Sequence, residues 1–420
     1  MQYTRRDVVA GLPVLMAFGL AGCKTAKATA DNTTEAAKKA AEALRITAAQ
    51  TLDGYAVNST TADENTILVN TTDDVTITNS TVTKIGDSDG GDNCNFYGQN
   101  AAVLVEGGST TTLTNLTVTS DAKGANGIFS YGGNGGQNGG DGDGTKVIIK
   151  DTTITTTGDG SGGTMTTGGG TTNAYNLTVT TNGQSSAAIR TDRGGGTVYV
   201  DGGTYTSNGL GSPAIYSTAE IHVANAALVS NLSEGVCIEG LNSIELTDCD
   251  LTANNTKCNG NATFMDTIMI YQSMSGDAAS GNSTFSMTGG SLTGKNGHMF
   301  HVTNTNADIE LHGVKLTNED GGNVLISVCD DGWSGGNNQA TLNATKQDLA
   351  GAVLVGNNST LALNLADGST LEGYVDGTIT NAGNKIVSTE VGTVTVTLDD
   401  SSTWTLTADS YVSEFSGAAA

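Results

Sequence analysis

The chain has little proline, few aromatic residues and few basic residues. Two prolines and 5% aromatic side chains occur in 420 residues, and 18 Lys and Arg stand against 43 Asp and Glu, giving a formal net charge of −25. Binding to nucleic-acid phosphates needs clustered Lys and Arg, so this charge balance argues against nucleic-acid binding. The chain also lacks an uncharged apolar run of about 20 residues, the length that a membrane-spanning helix needs.

A shorter apolar run near the N-terminus is typical of an export signal. Residues 8–21 carry no charge, and they follow Arg5 and Arg6. A basic start, a short apolar run and small residues before the cleavage point define a signal peptide, predicted here over residues 1–22. The paired arginines also match part of a twin-arginine export signal.

The signal ends in Leu20-Ala21-Gly22-Cys23, which resembles the lipobox of bacterial lipoproteins. In that family the cysteine thiol is acylated and becomes the first residue of the mature protein. The resemblance implies that Cys23 is lipidated and that the exported protein is anchored to a membrane of the cell envelope, facing outward. Several acyl chains, at about 0.8 kcal/mol per buried methylene, give stable attachment. The alternative is an ordinary signal peptide with a chance cysteine.

Residues 23–50 are expected to form a lipidated tether between the anchor and the folded body. The segment 35–45 is rich in Ala, Glu and Lys, which favour helix. This composition is consistent with one short helix, although a spacer that lifts the body from the membrane is the favoured interpretation.

From residue 51 the chain repeats one pattern: an apolar residue, any residue, an apolar residue, four further residues and a third apolar residue. Ten segments fit this template, and those that start at Val198, Ile221 and Ile244 are 23 residues apart. A second short apolar strand, such as Val236–Ile238, lies between successive matches. Each repeat therefore contains at least two short strands, separated by turns rich in Gly, Asn and Asp.

Such short strands cannot bury a face alone, but stacked repeats can bury a continuous apolar column. The sequence therefore predicts a right-handed parallel β-helix of about 10–13 coils over residues 51–412, with a tail at 413–420. Threonine is expected on the outward faces, and stacked asparagines are expected to form ladders at the turns. A β-sandwich gives no reason for a 23-residue period, and a propeller repeats at about 40–45 residues.

Residues 51–412 resemble the pectate-lyase-like β-helix superfamily, and most closely its adhesin-like, carbohydrate-binding bacterial lipoproteins. The segment Ser402–Val412, with Trp404 and Leu406, resembles the closing rungs of adhesin and autotransporter passenger domains. This resemblance implies a non-catalytic protein of the cell surface that binds polysaccharide or a cell-surface glycan.

Two other functions remain open at this point. One is a polysaccharide lyase or glycoside hydrolase acting on an acidic polysaccharide, because related enzymes use this fold. Hydrolysis needs two carboxylates at a defined separation, and the chain lacks the full set of segments typical of those hydrolases. The other is a structural rod of the cell envelope.

The candidate binding residues lie in the loops that interrupt the repeat. Four insertions, at 86–97, 131–143, 271–282 and 330–338, combine carboxylates, amides and aromatic rings, which is what sugar recognition uses. The last three and the segment 190–193 follow the same strand of their coils, so they should emerge on one side of the rod. The candidate ligand-binding residues are Tyr131, Arg190, Asp192, Arg193, Tyr271, Asp330, Asp331 and Trp333.

Calcium is the one cofactor that the loops suggest. Asp87, Asp89 and Asp92 have the loose spacing of a calcium-binding loop, although no complete consensus is present. Five cysteines remain after Cys23, at positions 94, 237, 249, 258 and 329. Export permits disulfides, and Cys249 with Cys258 is a pair that the spacing allows.

Overall fold

The computed structural model describes residues 38–136, 141–333 and 337–417. In this part of the chain the fold is the predicted right-handed parallel β-helix. Each full coil contributes three strands, of which the first two belong to one parallel sheet (sheet A) and the third to a second parallel sheet (sheet B). Cys23 and the signal peptide lie outside the described residues. No helix in the described ranges is long and apolar enough to cross a membrane.

Sheet A has 23 strands and contains the first and second strands of the coils. Its strands are Lys39–Ala41, Gln50–Asp53, Tyr55–Ser59, Val75–Thr78, Thr81–Lys84, Thr110–Thr114, Thr117–Ser120, Lys146–Lys150, Thr153–Thr156, Gly170–Thr181, Gly196–Ser207, Glu220–Ala224, Ala227–Ser230, Ser243–Thr247, Asp250–Ala253, Asn282–Thr288, Ser291–Gly294, Thr305–His312, Lys315–Asn318, Asn338–Thr345, Ser359–Ala366, Thr393–Leu398 and Glu414–Ser416. Two of them, Gly170–Thr181 and Gly196–Ser207, run through both positions of their coil without a break.

Sheet B has 14 strands, of which 13 lie within residues 51–412, in agreement with the predicted 10–13 coils. Its strands are Leu44–Ile46, Ile67–Asn70, Val103–Glu106, Ile128–Tyr131, Thr164–Thr167, Ile189–Thr191, Ile215–Ser217, Val236–Glu239, Asp266–Tyr271, His298–Thr303, Val324–Val328, Asp348–Val355, Thr370–Asp376 and Thr403–Leu406. A short helix, Asp92–Tyr97, and an antiparallel pair, Thr378–Thr380 with Ile386–Thr389, lie outside the two sheets.

Paired strands of the β-helix extend beyond both predicted ends, 51 and 412. Lys39–Ala41 pairs in parallel with Tyr55–Val57, so the coils begin inside the segment that was expected to be a tether and helix. At the other end, Glu414–Ser416 pairs with the strand Thr393–Leu398 and belongs to the last coil rather than to a tail. At the N-terminal end, parallel pairing with the next coil therefore outweighs the helix propensity of Ala and Lys.

The core is one apolar column inside the rod. The template residues point inward: Val75, Ile77 and Val82 are at most 1% exposed, and each stacks on its equivalent in the next coil. Outward positions in the second strands carry threonine, and Thr81, Thr117, Thr153, Thr178 and Thr204 are neighbours in register. The period-two alternation thus separates an apolar interior from a hydroxyl-rich surface.

A ladder of asparagine and aspartate turns the chain between the first and second strands. Asn79, Asn115, Asp151, Asn176 and Asn225 all have φ between 47° and 55°, in the left-handed region that these residues tolerate. The amide of Asn115 donates to Oδ1 of Asn79 at 2.7 Å, and that of Asn176 donates to Oδ1 of Asp151 at 2.8 Å. The predicted ladder therefore satisfies both the backbone geometry and the side-chain polar groups.

The five cysteines of the described chain are free thiols. Cys249 is fully buried at a corner of sheet A, where its thiol contacts the carbonyl oxygens of Val223 and Thr247. The Cys258 thiol instead donates to the carbonyl of Phe264, in the loop before Asp266–Tyr271. The pairing of Cys249 with Cys258 is therefore wrong. Cys249 packs in the central apolar core, whereas Cys258 packs in a separate cluster with Tyr271 and Trp333.

Replacement of Asn115 by valine should lower the free energy of unfolding by about 1–2 kcal/mol, because a β-branched residue is forced into the left-handed region. Asn115→Gly should cost about 1 kcal/mol or less, since only the ladder hydrogen bond is lost. Urea unfolding monitored by circular dichroism measures both. Thr112→Val, at an outward strand position, is the control and should stay within about 0.5 kcal/mol of wild type. Equal midpoints for Asn115→Val and wild type would contradict this account.

Candidate functional site

The predicted ligand-binding residues follow sheet B, and most of them are covered. Tyr131 ends the strand Ile128–Tyr131, Arg190 lies within Ile189–Thr191, Tyr271 ends Asp266–Tyr271, and Asp330 follows Val324–Val328. The loops fold back over the outward face of sheet B. As a result, the column Phe129, Met165, Met269 and His301 on that face is at most 3% exposed.

The insertion at 86–97 covers the start of this face rather than forming a calcium loop. Asp87, Asp89 and Asp92 are all exposed, Asp87 accepts the Lys123 N–H at 2.8 Å, and Asp92 lies in the first turn of the short helix. Within the described residues no three His, Cys, Asp or Glu side chains are grouped so that they could hold a metal ion. The structure therefore does not bring the three aspartates together as a calcium site.

Tyr131 packs beside this helix. Its ring meets Tyr97 edge-on at a centroid distance of 5.6 Å. Burial, with smaller contributions from Tyr97 and Glu106, raises the pKa of the Tyr131 hydroxyl. Tyr131 is therefore a packing residue of the covered face and does not present its ring to solvent as a flat sugar-stacking surface.

The two predicted arginines form separate ion pairs. Arg190 Nη2 lies 2.9 Å from Asp192 Oδ2, and both side chains are nearly buried. Burial raises the pKa of Asp192 to about 6, against the opposing effect of Arg190. Arg193 donates from Nε and Nη2 to Asp277 Oδ1, at 3.2 and 2.7 Å, and its guanidinium lies 4.2 Å from the ring centre of Phe96. Arg193 therefore joins the loops of three distant coils.

The buried carboxylate of Glu239 accepts hydrogen bonds from several neighbouring hydroxyl groups. Glu239 is 1% exposed and accepts hydrogen bonds from Tyr216 at 2.5 Å, from Tyr271 at 3.2 Å and from Ser273. Burial raises the pKa of both tyrosines well above the usual value. The Trp333 ring packs on Tyr271 at 4.8 Å and covers this network. Arg190, Tyr216 and Tyr271 leave a cavity of about 240 Å³ at the surface.

Asp330 and Asp331 are bonded to neighbouring segments of the chain. Asp331 Oδ1 accepts the N–H groups of Thr263 and Gly332, both at 2.7 Å, and its Oδ2 lies 3.4 Å from the His301 imidazole. Asp330 Oδ1 accepts the Asn338 amide at 2.6 Å. The predicted residues are thus brought together in part, but their polar groups are bonded to one another and to the loops.

A different surface carries exposed aromatic rings. It lies on the outward face of sheet A, in the row of positions that begins with Thr76 and Thr112. In four successive coils further along, this row carries Asn173, Tyr199, His222 and Glu245 in register. Tyr175 stands beside them, two positions along the strand. We name this surface the tyrosine platform, formed by Asn173, Tyr175, Tyr199, Asp201, His222 and Glu245.

The two tyrosines of the platform are open to solvent. Tyr175 is 39% exposed and Tyr199 is 46% exposed, on a framework of strands whose inward residues are buried. The ring of Tyr199 stacks on the His222 imidazole, with centroids 5.0 Å apart and planes 10° from parallel. A shallow cavity of about 470 Å³ lies over these rings. The sheet therefore holds the aromatic faces in fixed positions without covering them.

His222 is held by two carboxylates. Its Nδ1 lies 2.8 Å from Glu245 Oε2, and its Nε2 lies 2.8 Å from Glu220 Oε1. Burial opposes the charge on the imidazole, but the hydrogen bonds to Glu220 and Glu245 outweigh it and raise the pKa of His222. Both ring nitrogens face acceptors, so only the protonated ring, with two N–H donors, satisfies both bonds.

A glycine-lined groove continues the platform along the strands. It has a volume of about 440 Å³ and is bounded by Gly194, Gly195, Thr197, Glu220 and Ser243. A side chain at position 194 would meet a neighbouring carbonyl oxygen at 2.3 Å, so the backbone itself forms the wall. Thr197 shares a strand with Tyr199, and Glu220 shares one with His222, so groove and platform form one elongated surface.

The sequence contains a signal for the platform, but it lies in the strands and not in the insertions from which the candidate residues were chosen. The template places one outward residue between its first two apolar residues, and this residue is Tyr199 between Val198 and Val200. Among the described coils from Thr76 to Ser286, this position carries tyrosine only at Tyr199.

Comparison with protein-family models, with curated proteins and with solved structures finds no match to this chain. The parallel pairing of its strands defines the fold, and the geometry of the platform supports the function proposed below.

The His222 ring should titrate with a midpoint above about 6.5, the ordinary value for histidine. The folded-state pKa is raised, so its contribution to stability is complete below about pH 6.5 and is lost as the pH rises through the folded value. An NMR titration, with His222→Gln to assign the resonance, measures the midpoint. Glu245→Gln should lower it, and a wild-type midpoint below that of free histidine would contradict the double acceptor geometry.

Proposed function

We propose that this protein is a lipid-anchored, adhesin-like protein of the cell envelope that binds glycan without catalysis, through the tyrosine platform. The observation that carries the proposal is the pair of exposed rings, Tyr175 and Tyr199, on a rigid strand framework. Sugars stack their C–H faces on aromatic rings and direct their hydroxyls to nearby carboxylates and amides. Asn173, Asp201 and Glu245 supply such groups around the rings.

The elongated shape of the surface favours a chain of sugars over a single unit. The platform and the glycine-lined groove together extend across whole strands and over several coils, each about 4.8 Å from the next. An oligosaccharide or a polysaccharide segment fits this extent, and several weak contacts along it add to a useful affinity.

The enzymatic alternative has less support. Three carboxylates lie in this region: Asp192 beside Arg190, Asp277 from a later coil, and the buried Glu239. Each is already engaged, Asp192 by Arg190, Asp277 by Arg193 and Glu239 by four hydroxyl donors. Hydrolysis needs two carboxylates with room for substrate between them, and these pairings favour the binding function instead.

Tyr199→Ala should weaken glycan binding about tenfold, because an aromatic stacking contact contributes about 0.5–1.5 kcal/mol and 1.4 kcal/mol is a factor of ten. Tyr199→Phe should retain most of the affinity. A glycan array followed by titration calorimetry on the best binder measures both. Tyr411→Ala is the matched control, since Tyr411 is 56% exposed but lies on the last coil. Unchanged affinity for Tyr199→Ala would remove the platform as the binding site.

The anchor is tested separately. Mass spectrometry of the native N-terminal peptide should show a cleaved chain that starts at an acylated Cys23, and Cys23→Ser should release the protein from membranes. An unmodified Cys23 in the native protein would contradict the lipid anchor and leave the glycan-binding proposal untouched.

A further inference from the structure

We propose that the tyrosine platform selects glycans that carry protonated amino groups, and that it rejects glycans built from uronic acids. This inference rests on the proposed function and adds the chemical class of the ligand to it. It is the opposite of the preference for acidic polysaccharide that the enzymatic alternative requires.

The first observation is the sign of the charge around the rings. Asp201, Glu220 and Glu245 flank the stacked pair of Tyr199 and His222. The Glu220 and Glu245 side chains are 56% and 54% exposed. The cations here are the protonated His222, which lies between Glu220 and Glu245, and Lys150 at the margin, whose Nζ lies 5.9 Å from the centre of Tyr175. Among the described side chains that flank the rings, the three carboxylates therefore outnumber the two cations.

The second observation is that the glutamates keep acceptors free. Each glutamate uses one oxygen for His222, Oε1 in Glu220 and Oε2 in Glu245. Within the described residues the other oxygen of each carboxylate makes no hydrogen bond. Glu245 lines the shallow cavity over Tyr199, and Glu220 lines the adjoining glycine-lined groove, so both carboxylates face the elongated surface.

Carboxylates beside an aromatic face are the arrangement that recognises an ammonium group. The ring face attracts a cation, and charged acceptors form short, strong hydrogen bonds with its N–H donors. A uronic acid carboxylate at the same place would face two glutamates against the single positive charge of His222, and both N–H groups of that ring are already bonded to those glutamates. The net charge of −25 acts in the same direction at longer range.

The test compares two oligosaccharides that differ only in this charge. Chitosan hexamer carries free amino groups, and chitin hexamer carries the same sugars with each amino group acetylated; oligogalacturonate is the acidic probe. Titration at about pH 5.5 keeps carboxyl groups with ordinary pKa values near 4 ionised while the amino sugars are cationic. The full chain should bind chitosan hexamer about fivefold more tightly than chitin hexamer, since exposed ion pairs contribute little each. It should not bind oligogalacturonate.

Two variants assign the preference to the named side chains. The double variant Glu220→Gln with Glu245→Gln should lose the preference for the charged hexamer while it keeps binding to the neutral one. Glu310→Gln is the matched control, because Glu310 occupies the same outward row two coils further on. It should keep the preference. Added salt should reduce the preference in the wild type, because exposed charges are screened.

The outcomes separate the two proposals. Equal binding of the two hexamers, or tighter binding of oligogalacturonate, would overturn the charge selection and leave glycan binding standing. Binding of none of the three probes would overturn both proposals for this surface. A preference that survives in the double variant would also overturn this assignment to Glu220 and Glu245.

Discussion

Strand-on-strand hydrogen bonding between successive coils is the constraint on which the rest of this structure depends. Parallel pairing in register forces equivalent positions of every coil to stack, so a position that faces inward in one coil faces inward in the next, and most such positions are apolar. Val75, Ile221 and Ile244 occupy such positions and are at most 1% exposed. The same register stacks the outward residues, and it is therefore also what assembles Asn173, Tyr199 and His222 from separate coils into one surface.

The two sheets differ in how much of their outward face is covered by loops. Long insertions leave the coil just before or just after sheet B strands and fold back over that sheet, where Arg193, Asp331 and Trp333 hold the loops together. The first strands of sheet A pass to the second strands through a single residue in the left-handed region, such as Asn225, which leaves no chain to cover the outer face. The covered sheet and the bare sheet are consequences of where the insertions occur.

The period-two pattern was sufficient to predict the coils, because apolar and polar residues alternate in most strands and so mark the buried face. It did not predict the ends, because Lys39–Ala41 is a short strand with high helix propensity whose partner is decided by the coil above it. The predicted site residues were chosen by composition, and composition does not show that Tyr271 donates to Glu239 or that Asp331 turns inward toward His301. Those contacts join residues that are distant in sequence, across loops without a repeat.

The position of the platform along the rod has a mechanical consequence. In a solenoid each coil is stabilised by its two neighbours, and the terminal coils, with one neighbour, fray first. Tyr199 and His222 lie on middle coils, with paired strands on either side. Tension on a rod held at one end would therefore detach terminal coils before it disturbed the platform, so that a bound glycan could remain attached while the rod lengthened.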